Sequence, residues 1–174
     1  MNHGLPNWRR FSVVSLFFCM ALAGCQQSST VPADLMHGVP VLPMRTVQLE
    51  IRAGEKSIVA LHVEIAETTR QRRIGLMGRE SLPEDQGMLF LYSMERPGSA
   101  PFHMHRTLIP LDIAFFDAQG AIVAILQMQP CTEPVAGGCR KYSPGVPYFG
   151  ALEVNQGLFA AWGIENGHRV VLVE

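Results

Sequence analysis

The residues able to do chemistry in this chain cluster between Arg73 and Cys139. His103 and His105 stand two apart, and on an extended strand such residues share one face, so both imidazoles can converge on a ligand or on one divalent metal ion. Phe102 and Met104 then point the other way, into the core. A metal would need a third donor, from Asp112 or His168, and no spacing fixes it. The plainer alternative is two polar side chains on a solvent-facing strand. Asp112 lies inside the apolar run from Ile109 to Phe116. An ionised carboxylate buried there is costly unless a hydrogen bond or a cation meets it, which makes Arg73, Arg79 and Arg106 its candidate partners. Such a pair would fix the helix onto the sheet, form part of a ligand site, or do both. The candidate ligand site is therefore His103, His105, Arg106, Asp112, Arg73 and Arg79, with His103 and His105 as the candidate metal ligands.

Other chemistries are missing from the sequence. There is no Gly-x-Ser-x-Gly nucleophile elbow, no Gly-rich phosphate loop and no His-Glu-x-x-His. No organic cofactor is expected, and a divalent metal only at the histidine pair. Met77, Met88, Met94, Met104 and Met128 sit at apolar positions, where methionine fills a core more readily than it binds copper. Fourteen basic residues against fifteen acidic give a net charge of −1. That balance supplies no basic patch for nucleic acid.

Several elements must position these groups. Val47, Leu49 and Ile51 alternate with polar residues, as do Val59, Leu61, Val63 and Ile65 after the turn at 53–56, which predicts an antiparallel hairpin. Thr68 and Gln71 have capping-box spacing and open a short basic helix over Thr69–Met77, closed by Gly78. Strands are expected at Met88–Tyr92, Pro101–His105, Ile109–Phe116, Ala121–Met128, Tyr148–Val154 and Arg169–Val173, with a helical turn at Leu158–Trp162. The fold class is mainly β (α+β): an antiparallel β-sandwich or partly closed β-barrel with one or two short helices.

The first 25 residues read as export signals. Arg9 and Arg10 precede an uncharged stretch, Phe11–Ala23, too short to span a membrane, which ends in Leu22-Ala23-Gly24-Cys25. The paired arginines fit a twin-arginine signal less well than a general secretory one. The Leu-Ala-Gly-Cys string resembles the lipobox of bacterial lipoproteins, in which the cysteine is lipidated before cleavage. On this reading residues 1–24 are a signal peptide and Cys25 carries the lipid. Residues 25–44 are the lipidated N-terminus and flexible tether, reaching on the order of 25 Å, and 45–174 form one β-rich domain. The membrane is then a partner through the anchor. Gln26, where an Asp would retain the protein at the inner membrane, favours the periplasmic face of the outer membrane. Cleavage leaves twelve basic against fifteen acidic residues, a charge of −3. It also removes Cys19 and, with Cys25 lipidated, leaves Cys131 and Cys139. Their turn-rich spacer, TEPVAGG, suits a disulfide in an oxidising compartment.

Three strings, Arg73-Ile74-Gly75-Leu76-Met77-Gly78-Arg79, Gly87-Met88-Leu89-Phe90 and Phe102–Asp117, resemble in that order the family known as domain of unknown function 192. The likeness runs from about Val47 to Val173 and includes Leu152-Glu153-Val154-Asn155 ahead of Gly157, and Gly167 before the last strand. It implies a compact β-rich fold, often exported or lipid-anchored, with no established activity. Two departures stand out. The family usually reads Phe-Trp-Met-Lys-Asn where this chain has Phe102-His103-Met104-His105-Arg106, and it has an acid where this chain has His168.

The leading functional expectation is a non-catalytic binding or accessory module at the membrane. Its ligand would be a small molecule, a glycan or an envelope protein, meeting the face of His103, His105 and Arg106. One alternative is an envelope hydrolase using Asp112 with the two histidines, with or without a metal. Another is a structural subunit of an envelope complex.

Overall fold

The computed structural model describes residues 42–173. The expected signal peptide, Cys25 and the tether up to residue 41 lie outside the described residues.

The first two alternating runs form the hairpin they predict, β1 (Thr46–Ala53) and β2 (Lys56–Ala66), with Leu49 opposite Leu61 and Ile51 opposite Val59. Leu49, Ile51, Leu61, Val63 and Ile65 are buried while the residues between them are more exposed, which is the period of two expressed as burial. α1 (Thr69–Ile74) opens on the capping box: the Gln71 amide donates to Thr68 Oγ1 at 3.1 Å and the Thr68 amide to Gln71 Oε1 at 2.9 Å. The helix stops three residues short of the expected Met77. Gly75 takes φ 50°, a left-handed value open to glycine, and so turns Leu76 into the core. The Gly78 amide then donates to the Arg106 carbonyl at 2.8 Å, tying this turn to the histidine segment.

β3 (Gln86–Arg96), β5 (Leu111–Phe116), β6 (Ile122–Met128), β8 (Tyr148–Asn155) and β9 (Arg169–Val173) complete a seven-stranded sheet in the order β6-β5-β8-β3-β2-β1-β9. β4 (Phe102–His103) and β7 (Lys141–Tyr142) form a separate two-stranded ribbon. The strand expected over Pro101–His105 thus shrinks to two residues, and β7 had no counterpart in the sequence pattern. The fold is mainly β with two short helices, as expected, but one neighbouring pair, β2–β3, is parallel. The segment holding α1 makes that crossover, carrying the chain back to the start of β3.

The sheet curls until its edge strands meet at one end. Ala121 bridges Arg169, the Ile122 amide donates to the His168 carbonyl at 2.8 Å, and the Val170 amide to the Gly120 carbonyl at 2.9 Å. Gly120 is required there, because at φ 79° a Cβ would stand 2.5 Å from the Val170 carbonyl oxygen. Each central strand therefore divides its side chains between two cores. Leu89, Ala114, Phe116, Leu152 and Val154 fill the inside of the curl with the β1–β2 hairpin and Phe159 of α2 (Leu158–Ala161). Met88, Phe90, Leu111, Ile113, Phe115 and Ala151 face the other way, under Leu76, Met104 and Tyr142. β5 is buried along its whole length for this reason.

Candidate functional site

The outer core is closed by the segment 101–107, and that segment carries the histidines. Phe102 sets its ring edge-on to Phe90 and Phe115, at centroid distances of 5.1 and 5.5 Å, and Met104 is buried beside them. His103 and His105 are left on the opposite side. Backbone bonds hold them there: the Arg106 amide donates to the Cys131 carbonyl at 2.7 Å and the Thr107 amide to the Met104 carbonyl at 2.9 Å. Arg106 turns the chain at φ 59°, the one non-glycine residue with a positive φ among the described residues.

A groove of about 460 Å³ results, lined by Arg70, Arg73 and Met77, by His103, His105 and Arg106, and by Ile74 and Ala136. Three guanidinium groups and two imidazoles line it and no carboxylate does. Burial pushes the His103 pKa down, and His105 beside it pushes the same way. His105 Nε2 is buried without a hydrogen-bond partner.

The groove shares Arg73, Ile74, Met77 and His103 with a smaller cavity of about 90 Å³. Phe90, Tyr92, Phe102 and Thr107 also line that cavity, and so does Glu153 of β8. Glu153 stands opposite Met88 on β3 and Ile113 on β5, on the face of the outer core. It is 6 % exposed, and no hydrogen bond reaches its carboxyl among the described residues. Burial alone raises its pKa from 4.5 to about 8, so the acid is neutral at pH 7. Tyr92 is likewise pushed up, to about 12, first by burial and then by Tyr148, with Arg72 and Arg96 opposing. Arg72 stacks on the Tyr92 ring at 4.9 Å and donates to the carbonyls of Glu67 and Leu91, so its charge is committed to holding the fold. Glu153 is not among the functional candidates expected from the sequence. The signal was present: an acid within the apolar string Ala151–Val154, the same pattern that drew attention to Asp112.

The remaining candidates are placed elsewhere. Asp112 shares its strand face with Ala114 and Phe116, so it points toward the inner core, away from Glu153 and the groove. Its Oδ2 accepts from the amides of Gly157 at 2.9 Å and Phe159 at 3.3 Å, with Gln127 as a further partner. Backbone donors at the start of α2 thus take the place expected for an arginine, although burial still raises the pKa of Asp112. Arg79 makes a two-pronged pair with Glu64 at 2.6 and 2.8 Å and does not line the groove. His168 accepts from the Glu165 amide at 3.1 Å, on the turn before β9. Among the described residues no group of three His, Cys, Asp or Glu side chains is placed to hold a metal ion. Met88, Met104 and Met128 are core residues, and Met94 is exposed. Cys131 and Cys139 form a disulfide, with Cα atoms 5.8 Å apart. It closes a loop that brings Ala136 to the groove and fastens Arg106 and Thr107 through Cys131.

Fold and site together define a class: a curled, mainly β domain with one outer face roofed by a short helix and a ribbon, and a cationic cleft in that roof. The family model for domain of unknown function 192, an uncharacterized ACR, matches residues 49–172, and the chain belongs to that family. It is similar to a solved structure from Sinorhizobium meliloti 1021, described as a candidate transcription regulator. The two share 28% identity over 76% of this chain and 97% of that one, with a TM-score of 0.67. A protein of unknown function from Novosphingobium aromaticivorans DSM 12444 is 29% identical over 76% of this chain and 89% of its own, with a TM-score of 0.66. No curated protein matches the chain.

Proposed function

We propose that the domain is a non-catalytic binding module for a small anionic ligand, held at the periplasmic face of a membrane by lipid on Cys25 and displayed on the tether. The observation that carries this reading is the convergence of Arg70, Arg73, Arg106, His103 and His105 on one groove without a carboxylate. An anion there meets several charge-assisted donors at once.

The hydrolase alternative needs Asp112 beside the histidines, and Asp112 faces the other core against the amides of α2. A structural subunit would be supported by a contiguous apolar surface. The large exposed apolar side chains among the described residues are Met94, Val135, Val146 and Leu172.

Calorimetric titration of the full chain in detergent with inorganic phosphate tests the reading. Binding is expected, weakening with added salt. Arg73→Gln is expected to reduce affinity about tenfold or more. Arg79→Gln, which removes a guanidinium outside the groove, leaves it unchanged. Equal losses in the two variants, or no binding of phosphate at all, would overturn the proposal.

A further inference from the structure

Resting on that reading of the groove, we propose that the Glu153 cavity is a second subsite of the same cleft. It takes a hydroxyl carried on a two- or three-carbon arm of the anion, so the ligand class is that of glycerol phosphate. The cavity and the groove share the walls of Arg73, Ile74, Met77 and His103, so one molecule can occupy both. The cavity is small beside the groove, about 90 Å³ against about 460 Å³, so the smaller end of the ligand belongs in it.

Glu153 decides what that end is. It is 6 % exposed and lines the cavity without a hydrogen-bond partner for its carboxyl, an arrangement that native interiors rarely leave unanswered. As a neutral acid it offers one O–H donor and one carbonyl acceptor. A hydroxyl group answers both, because it accepts and donates at one atom. A ligand ammonium group would have to pass Arg73 to reach Glu153, and the guanidinium charge opposes it. A second phosphate or carboxylate would be an anion in a space where Arg72 is already committed to two carbonyls and the Tyr92 ring. The anionic end therefore belongs in the groove and the uncharged polar end in the cavity.

The charged and titratable groups facing Glu153 are Arg72 and Arg73 from α1 and its end, Tyr92 from β3 and His103 from β4. Tyr92 stays neutral up to about pH 12, and burial pushes His103 toward its neutral form. Glu153 is then the group of this cavity that changes charge near pH 8. Once ionised it loses its donor and repels the anion beside it.

The experiment compares sn-glycerol 3-phosphate with inorganic phosphate by calorimetry on the full lipidated chain, at pH 6.5 and pH 9. At pH 6.5 the wild type is expected to prefer glycerol phosphate by about tenfold, the effect of one satisfied buried pair. The preference disappears at pH 9. Glu153→Gln, which keeps a donor and an acceptor without a charge, retains it at both pH values, and Glu153→Leu loses it at both. Equal affinity for the two probes in the wild type at pH 6.5, or an undiminished preference in Glu153→Leu, overturns the subsite and leaves the groove standing. If neither probe binds, both proposals fall. Should Glu153→Leu not fold, the comparison of wild type with Glu153→Gln at pH 9 carries the test, and identical behaviour there overturns it. Repeating the titration in nanodiscs of phosphatidylcholine with and without phosphatidylglycerol separates the sources. Competition by phosphatidylglycerol supports the subsite with a lipid headgroup as its occupant, and no competition supports it with a free solute.

Discussion

Replacing Glu153 by Gln removes an ionisable group from a buried position while keeping its shape, so the charge effect can be measured by itself. In the unfolded chain the carboxyl titrates near 4.5; folded, burial moves it to about 8. Below pH 4.5 both states carry the proton and pH has no effect through this group. Above 4.5 the unfolded chain releases its proton while the folded chain keeps it. Wild-type stability then falls by about 1.4 kcal/mol per pH unit. The fall ends near pH 8, where the folded state ionises as well. Taken over the whole interval from 4.5 to about 8, the loss is roughly 5 kcal/mol. Water drawn into the cavity relieves part of the burial penalty, so a loss of about 3–5 kcal/mol is expected. Glu153→Gln has no proton to lose and escapes this slope. Urea and thermal unfolding of the full chain, non-reduced and in detergent, should show the variant gaining on wild type from pH 5 to pH 8.5. The gain is about 3 kcal/mol or more, equivalent to roughly 10 °C in Tm. Parallel stability-against-pH curves for the two proteins would refute the reasoning, because they would mean that the folded state ionises Glu153 as readily as the unfolded chain does.

Asp112 and the disulfide give two further tests. Asp112→Ala leaves the Gly157 and Phe159 amides without their acceptor and is expected to cost about 1–3 kcal/mol in urea unfolding, with Asp112→Asn milder because it keeps an oxygen. Phosphate affinity should not change in the folded Asn variant, and its loss there would return Asp112 to the binding site. Opening the Cys131–Cys139 bridge by a Cys131→Ser/Cys139→Ser double substitution is expected to cost about 2–3 kcal/mol from loop closure. It should also weaken phosphate binding, since Cys131 fastens Arg106 and Thr107 at the groove. An unchanged dissociation constant would show that the loop does not brace the site.

Much of this architecture was legible residue by residue. The period of two along Val47–Ile51 and Val59–Ile65 gave the first hairpin, because side chains alternate across a strand whatever surrounds it. Thr68 and Gln71 marked the start of α1 through bonds that span three residues. Its end was misjudged, because the stop at Gly75 serves Leu76, which must reach a core built from β3 and from the segment around Met104. Alternation also placed Phe102 and Met104 inward and the histidines outward. The β4–β7 ribbon and the parallel β2–β3 pair were not legible, since pairing between distant segments leaves no local period.

The sequence by itself determined which residues alternate, where caps and turns fall, that Cys131 and Cys139 stand close enough in the chain to join, and that the chain resembles its family. Tertiary structure alone decided which charge meets which partner. Asp112 and Glu153 carry the same chemistry in similar apolar strings on adjacent strands, and one-dimensional reasoning cannot rank them. Asp112 falls on the inward parity of β5, where two backbone amides at the start of α2 meet its Oδ2 and leave Oδ1 without a partner. Glu153 falls on the outward parity of β8, under a roof that leaves a cavity in place of a partner. The physical reason is that a buried carboxyl is defined by what the fold sets against it, and both the α2 amides and the roof come from parts of the chain distant in sequence from the acid they meet.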